Sequence, residues 1–172
     1  MQWLYRTRQF LRSVTARVDP AQRERVETLL PVRLSALFYR MDARDQAHSL
    51  RVLRELQGRG VQDIDLLRAA LLHDVGKSRC PISPFERALV VLANRAVPGL
   101  VIRLGQRPAR GPLRAFVAAA GHPAWGAAMV EAAGGSERLA ALVRFHQESP
   151  ESIEPEAIRQ LLLELQRADN RN

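Results

Sequence analysis

Apolar residues recur at three- and four-residue spacing almost from end to end of this chain, and the β-branched alternation typical of strands is nearly absent. A chain patterned this way buries its apolar stripes by packing helix on helix, so the expected fold class is all-α, a helical bundle. Trp3, Leu4, Phe10, Leu11, Val14 and Val18 mark one face of an N-terminal helix. Asp19-Pro20 stops it, and Pro20 can open the next helix at its first turn. Pro31 ends or offsets that second helix. Leu34, Leu37, Phe38 and Met41 lead into a helix running to about Leu56, ended by Gly58 and Gly60. Asp63 or Asp65 caps a helix from Ile64 to about Asp74, with Gly76 as its stop. Ser83-Pro84, with Glu86 in the first turn, opens a helix through about Ala96, which Pro98-Gly99 breaks. Residues from Gly105 to Pro112 read as an exposed loop. One helix then ends near Ala120, and another starts at His122-Pro123 and breaks at Gly134-Gly135. Ser136 caps a helix reaching about Gln147, and the last runs from about Glu156 to Ala168.

At 172 residues the chain has the size of one domain. Lys+Arg is 26 against 18 for Asp+Glu, a net charge of +8. Lys77 is the only lysine, so 26 − 1 leaves 25 arginines, spread from Arg6 to Arg171. The first reading of that charge is a generic positive surface; it also attracts nucleotides, nucleic acid or acidic lipid. No aromatic-interleaved basic motif gives a strong nucleic-acid signal. Cys80 is alone, which excludes an intrachain disulfide and a cysteine-based zinc site. The Val- and Leu-rich stretch from Ala88 to Leu104 is broken by Arg95, Pro98, Gly99 and Arg103, so no transmembrane segment is read. A soluble cytoplasmic protein is expected, of unknown oligomeric state. The N-terminal basic helix is read as a packing element of the same domain, with a membrane-surface helix as the alternative.

The chain holds four histidines: His48, His73, His122 and His146. His146 shares a helical stripe with Leu139, Leu142 and Val143; His73 with Leu66, Ala69 and Ala70; His48 lies near Met41 and Val52. Asp74 falls with Leu67, Ala70 and Leu71, and Asp169 with Ile158, Leu162 and Leu165. These polar groups therefore point inward. A buried carboxylate needs a partner, because desolvating a lone charge costs several kcal/mol. Two inward aspartates with several imidazoles are accounted for by one or two divalent cations. In Leu71-Leu72-His73-Asp74-Val75-Gly76-Lys77, adjacent His and Asp sit where the chain leaves helical geometry, Gly76 permits a turn and a close backbone approach, and Lys77 places a compact charge where a phosphate oxygen can lie.

The pattern of His48, then His73-Asp74, then a late Asp169 resembles the HD-domain metal-dependent phosphohydrolase superfamily. The resemblance covers about Asp42 to Asp169. It divides the chain into an N-terminal helical extension, residues 1–40, packed on an HD domain, residues 41–172. His122-Pro123-Ala124-Trp125-Gly126-Ala127 is similar to the His-Pro-x-x-Gly element of binuclear members, and His146 stands in the place of a second added histidine. That set is shared with HD-GYP cyclic-dinucleotide phosphodiesterases and with small HD hydrolases of diadenosine tetraphosphate. No Gly-Tyr-Pro motif follows His146, and His146-Gln147-Glu148 stands where HD-GYP enzymes carry His-His-Glu. Cyclic di-GMP is therefore disfavoured as the substrate.

The resemblance implies that His48, His73, Asp74 and Asp169 hold a first metal, with Asp74 bridging to a second held by His122 and His146. Fe or Mn suits such mixed ligation better than Ca²⁺. Asp74 and Lys77 are the expected catalytic residues, Lys77 steadying a phosphate. The implied partner is a phosphorylated small molecule, a nucleotide first. The implied activity is metal-dependent hydrolysis of a phosphoester or phosphoanhydride. A non-catalytic regulatory module that binds a nucleotide or metal is the alternative. Arg79, Arg87, Arg107 and Arg110 read first as exposed solvating side chains, and otherwise as attractors of an anionic substrate. Trp125 and Phe85 read as core or as base-stacking residues, and Glu148 as an exposed acid.

Overall fold

The computed structural model describes residues 19–97, 104 and 111–172, which are helical with no strand among them. The expected first helix, the Pro98-Gly99 break and residues 105–110 of the expected loop lie outside the described residues. Helix α1 (Pro20–Leu29) opens on a capping box: the Asp19 carboxylate accepts the Gln22 N–H and the Gln22 side chain accepts the Asp19 N–H. Helix α2 is Val32–Tyr39 and α3 is Ala43–Gly58. These two replace the single helix expected to run on to Leu56. Asp42 accepts the N–H groups of Arg44 and Asp45, and that side-chain competition for backbone donors restarts the helix.

Helix α4 (Ile64–Leu72), capped by Asp63, is the centre of the molecule. Seven of its nine residues are buried, and α1, α2, α3, α7 and α8 all pack on it. It ends at Leu72, before the expected Asp74, and Gly76 lies inside a following 3-10 turn, Val75–Arg79, rather than stopping the helix. The glycine is needed for another reason. A Cβ there would stand 1.9 Å from the His122 carbonyl oxygen and 2.7 Å from the Gly126 nitrogen, so the turn presses its backbone against the backbone of α6.

Helix α5 (Pro84–Ala96) starts on the Ser83–Glu86 capping box that its sequence foretells. Helix α6 (Arg114–Ala132) is continuous through Pro123 and corrects the expected pair of helices meeting at His122. Ser136 caps α7 (Glu137–Phe145), which stops short of His146. Helix α8 (Glu156–Asn170) extends past Ala168, so Asp169 lies within its last turn. Leu53, Leu56, Leu66, Leu71, Leu139 and Leu162 are among the fully buried side chains of the main core. A smaller cluster joins Val90 of α5 to Ala115 and Phe116 of α6.

Arg87 corrects its reading as a solvating side chain. It is half-buried and donates to both oxygens of buried Asp45, at 2.8 and 3.0 Å, and to Asp42 at 2.8 Å. This pair ties α5 to the start of α3. A lost partner would leave Asp45 as a buried, unpaired charge, so the contact fixes where α5 sits.

Candidate metal centre

The structure brings all four histidines and both aspartates together. The rings form a chain: His48 to His73 at 5.4 Å between centroids, His73 to His146 at 5.3 Å, His146 to His122 at 5.2 Å. The residues come from five parts of the fold. His48 lies on α3, His73 and Asp74 follow the end of α4, His122 lies on α6 and Asp169 on α8; His146 caps the C-terminus of α7.

Three of the imidazoles are oriented by one device. A helical carbonyl ordinarily takes the N–H four residues on. The Ala119 carbonyl faces Pro123, which has none, and the His122 Nδ1–H donates to it at 2.8 Å instead. Helix α4 ends just before His73, and its Nδ1–H donates to Ala70 O at 3.1 Å. Helix α7 ends just before His146, and its Nδ1–H donates to Val143 O at 2.8 Å. A carbonyl only accepts, so Nδ1 carries a proton, and in the neutral ring that tautomer leaves the lone pair on Nε2. All three Nε2 atoms are buried and have no hydrogen-bond partner.

Those lone pairs converge on the carboxylates. Asp74 turns one oxygen, Oδ1, to His122 Nε2 at 3.4 Å and His146 Nε2 at 3.8 Å. Its other oxygen, Oδ2, lies 3.6 Å from His73 Nε2 and 2.5 Å from Lys77 Nζ. Asp169 Oδ1 lies 2.7 Å from His48 Nε2 and 3.7 Å from His73 Nε2. Two groups of three result, each with candidate donor atoms within 4.8 Å of one another: His48, His73 and Asp169 in one, Asp74, His122 and His146 in the other. The second group is wholly buried, and the first is more open, with the Asp169 side chain 32 % exposed.

The electrostatics follow from this crowding. Burial, the largest influence on Asp74, opposes its charge. The His73 ring, the contact with His122 and the Lys77 ammonium outweigh it, and the carboxyl is held well below the usual carboxylate range. Burial likewise opposes ionisation of Asp169, and its bond to His48 with the nearby His73 ring pulls its pKa down. Burial pushes His146 down to about 3, helped by His73 and His122, so the ring is neutral at ordinary pH. Carboxylates and imidazole lone pairs thus face one another with Lys77 as the only fixed cation in contact with Asp74 among the described residues. Mixed imidazole and carboxylate donors in two adjoining groups fit one or two divalent transition metals.

Other residues singled out in the sequence fall elsewhere. The guanidinium of Arg79 lies over the half-buried Trp125 ring, 5.3 Å from its centroid. Phe85 and Glu148 are exposed. Arg107 and Arg110 lie outside the described residues. The burial of two acids escaped the sequence reading, that of Asp45 and Asp65, each paired to an arginine from another element, Arg87 and Arg138. Their sequence signal was weak, because both sit in the acidic first turn of a helix, where an exposed aspartate is commonplace.

A family model described as HD domain matches residues 46–171. No curated protein and no solved structure gives a match. No helix among the described residues is long and apolar enough to cross a membrane.

Proposed function

The chain belongs to the HD-domain family, within the metal-dependent phosphohydrolase superfamily, and on that premise we propose that it cleaves a phosphoester or phosphoanhydride, of a nucleotide first, at a two-metal site. The supporting observation is the set of three buried Nε2 atoms without hydrogen-bond partners, aimed at the Asp74 and Asp169 carboxylates. Buried acceptors left facing one another are costly, and a cation resolves them. His48, His73 and Asp169 would hold one ion, and His122 and His146 the other. Asp74, with one oxygen toward each group, would serve both. Bound there, Fe or Mn would polarise a phosphoryl oxygen and lower the pKa of a water.

The chain's own residues supply the rest. The carbonyl anchors on Nδ1 fix the His73, His122 and His146 rings before any ligand arrives, so little reorganisation of these three is left for binding. Asp74 stays ionised, and Lys77, one-third exposed, holds it from the rim of the cluster. From there the ammonium can also meet a phosphate oxygen, which makes Lys77 the group that orients an anionic substrate. Residues 1–40 would serve as an extension of the domain at 41–172, with α1 and α2 packed on α4.

A panel of nucleotide and simple phosphoesters and phosphoanhydrides, incubated with protein supplied with Mn or Fe, tests this reading. Turnover is expected, falling by about a hundredfold or more in His73→Ala and Asp74→Asn. No cleavage anywhere in the panel, or tight nucleotide binding without cleavage, would overturn it and favour a regulatory module.

A further inference from the structure

Helix α3 holds a half-buried arginine that no carboxylate answers. Arg68, Arg87, Arg144 and Arg159 are half-buried too, and each lies against an acid. Arg51 has no hydrogen bond or ion pair among the described residues. The two acids of its own helix are taken, Asp45 by Arg87 and Glu55 by Arg171 at 2.9 Å. All of the chain's aspartates and glutamates lie within the described residues, so the chain carries no carboxylate for it.

The neighbours of Arg51 have its own sign. Arg54 follows one turn later and Arg44 stands two turns earlier. Burial, and then these two charges, hold the Arg51 pKa below its ordinary value. Like charges one turn apart destabilise a helix, and partial burial adds to the cost. An anion from outside the chain would relieve both.

The position on the helix selects that anion. At ~100° per residue, Arg44, His48 and Arg51 fall within about 60° of one another on one flank of α3, with Arg51 one turn from His48. From that flank His48 reaches Asp169, in the more open of the two groups of metal-binding side chains. The guanidinium fork matches a phosphate group. Lys77 contacts Asp74 and serves the phosphoryl group at the centre itself, so the Arg51 fork is left for the next phosphate of the same molecule.

We propose that Arg51, with Arg44 and Arg54 beside it, binds a second phosphate group of the substrate at the mouth of the centre, so that compounds with two or more linked phosphates are taken in preference to monophosphates. The inference rests on the phosphohydrolase reading for the nature of the anion and adds to it the class of substrate.

Calorimetric titration of the Mn-loaded full chain with methylenediphosphonate and with methylphosphonate tests the idea, because hydrolysis cleaves neither compound. The wild type should prefer the diphosphonate by roughly tenfold, the scale of one charged contact. Arg51→Met keeps the length and apolar stem of the side chain without its charge. It should abolish that preference, leave methylphosphonate affinity within about twofold, and keep or raise the Tm, since a repulsion is removed. Arg51→Lys, which retains the charge but not the fork, should lie between. Equal affinity of the wild type for both compounds, or an undiminished preference in Arg51→Met, would overturn the proposal. So would a lowered Tm with both affinities falling together, because Arg51 would then be a structural residue. A preference that Arg51→Met removes, in a protein that cleaves no phosphoester, would leave the subsite standing and count against the hydrolytic reading alone.

Discussion

Where a helix loses a backbone N–H, a histidine in the right place has its tautomer chosen for it. His73, His122 and His146 each donate Nδ1–H to the carbonyl three residues back, at a helix end or before a proline. The inward direction of His73 and His146 was legible in their apolar stripes, because helical periodicity held up to those positions. The anchoring of the His122 ring was not: Pro123 reads as a helix start, yet it sits inside α6, and its missing N–H creates the anchor. Pro123→Ala returns a competing N–H to the Ala119 carbonyl. The variant should keep or gain thermal stability while its metal affinity falls by roughly tenfold or more, the scale of a lost outer contact to a ligating imidazole. Titration with Mn²⁺ alongside a melt checks it; unchanged affinity would show that the proline does not set the ring.

At the level of elements, the site depends on a backbone crossing. The turn after α4 carries His73 and Asp74 and rests against α6 at Gly76 and Gly126. The need for glycine at Gly76 could be read from the motif, but its partner could not, since the approach joins residues some fifty positions apart. Gly76→Ala sets a methyl into the His122 carbonyl. It should cost about 2–3 kcal/mol, the upper range for overpacking, and lower the Tm by roughly 5–10 °C. A variant with wild-type Tm would mean that the two backbones stand farther apart than described. The break at Asp42 was missed for a related reason. Apolar spacing continues across it, and only the capping carboxylate interrupts the helix. Element identity was thus readable from periodicity, while element ends depended on side-chain bonds that periodicity does not report.

For the whole molecule, a buried neutral His146 beside ionised carboxylates predicts acid sensitivity. His146 is held down to about 3, against an ordinary 6.5. Between those values the unfolded chain binds more protons than the folded one, so stability falls with pH. The contribution is full above 6.5 and is lost as pH drops through about 3. Asp74 acts in the same direction, its contribution present above the ordinary 3.8 and lost as pH falls through its lower folded value. Melts of chelator-treated protein from neutral pH to about 3 should show a steadily falling Tm; a flat profile would contradict the buried, neutral assignment. Metal should raise the Tm in proportion to the logarithm of its excess over Kd, and do so less in acid, where protons compete for the same lone pairs. The most direct test of the central claim is elemental analysis of protein purified without chelators. One or two equivalents of a transition metal, lost in a His73→Ala/Asp74→Asn variant that keeps its helical circular dichroism, is the predicted result. Metal-free wild-type protein that takes up none on reloading, or a variant with undiminished content, would contradict it.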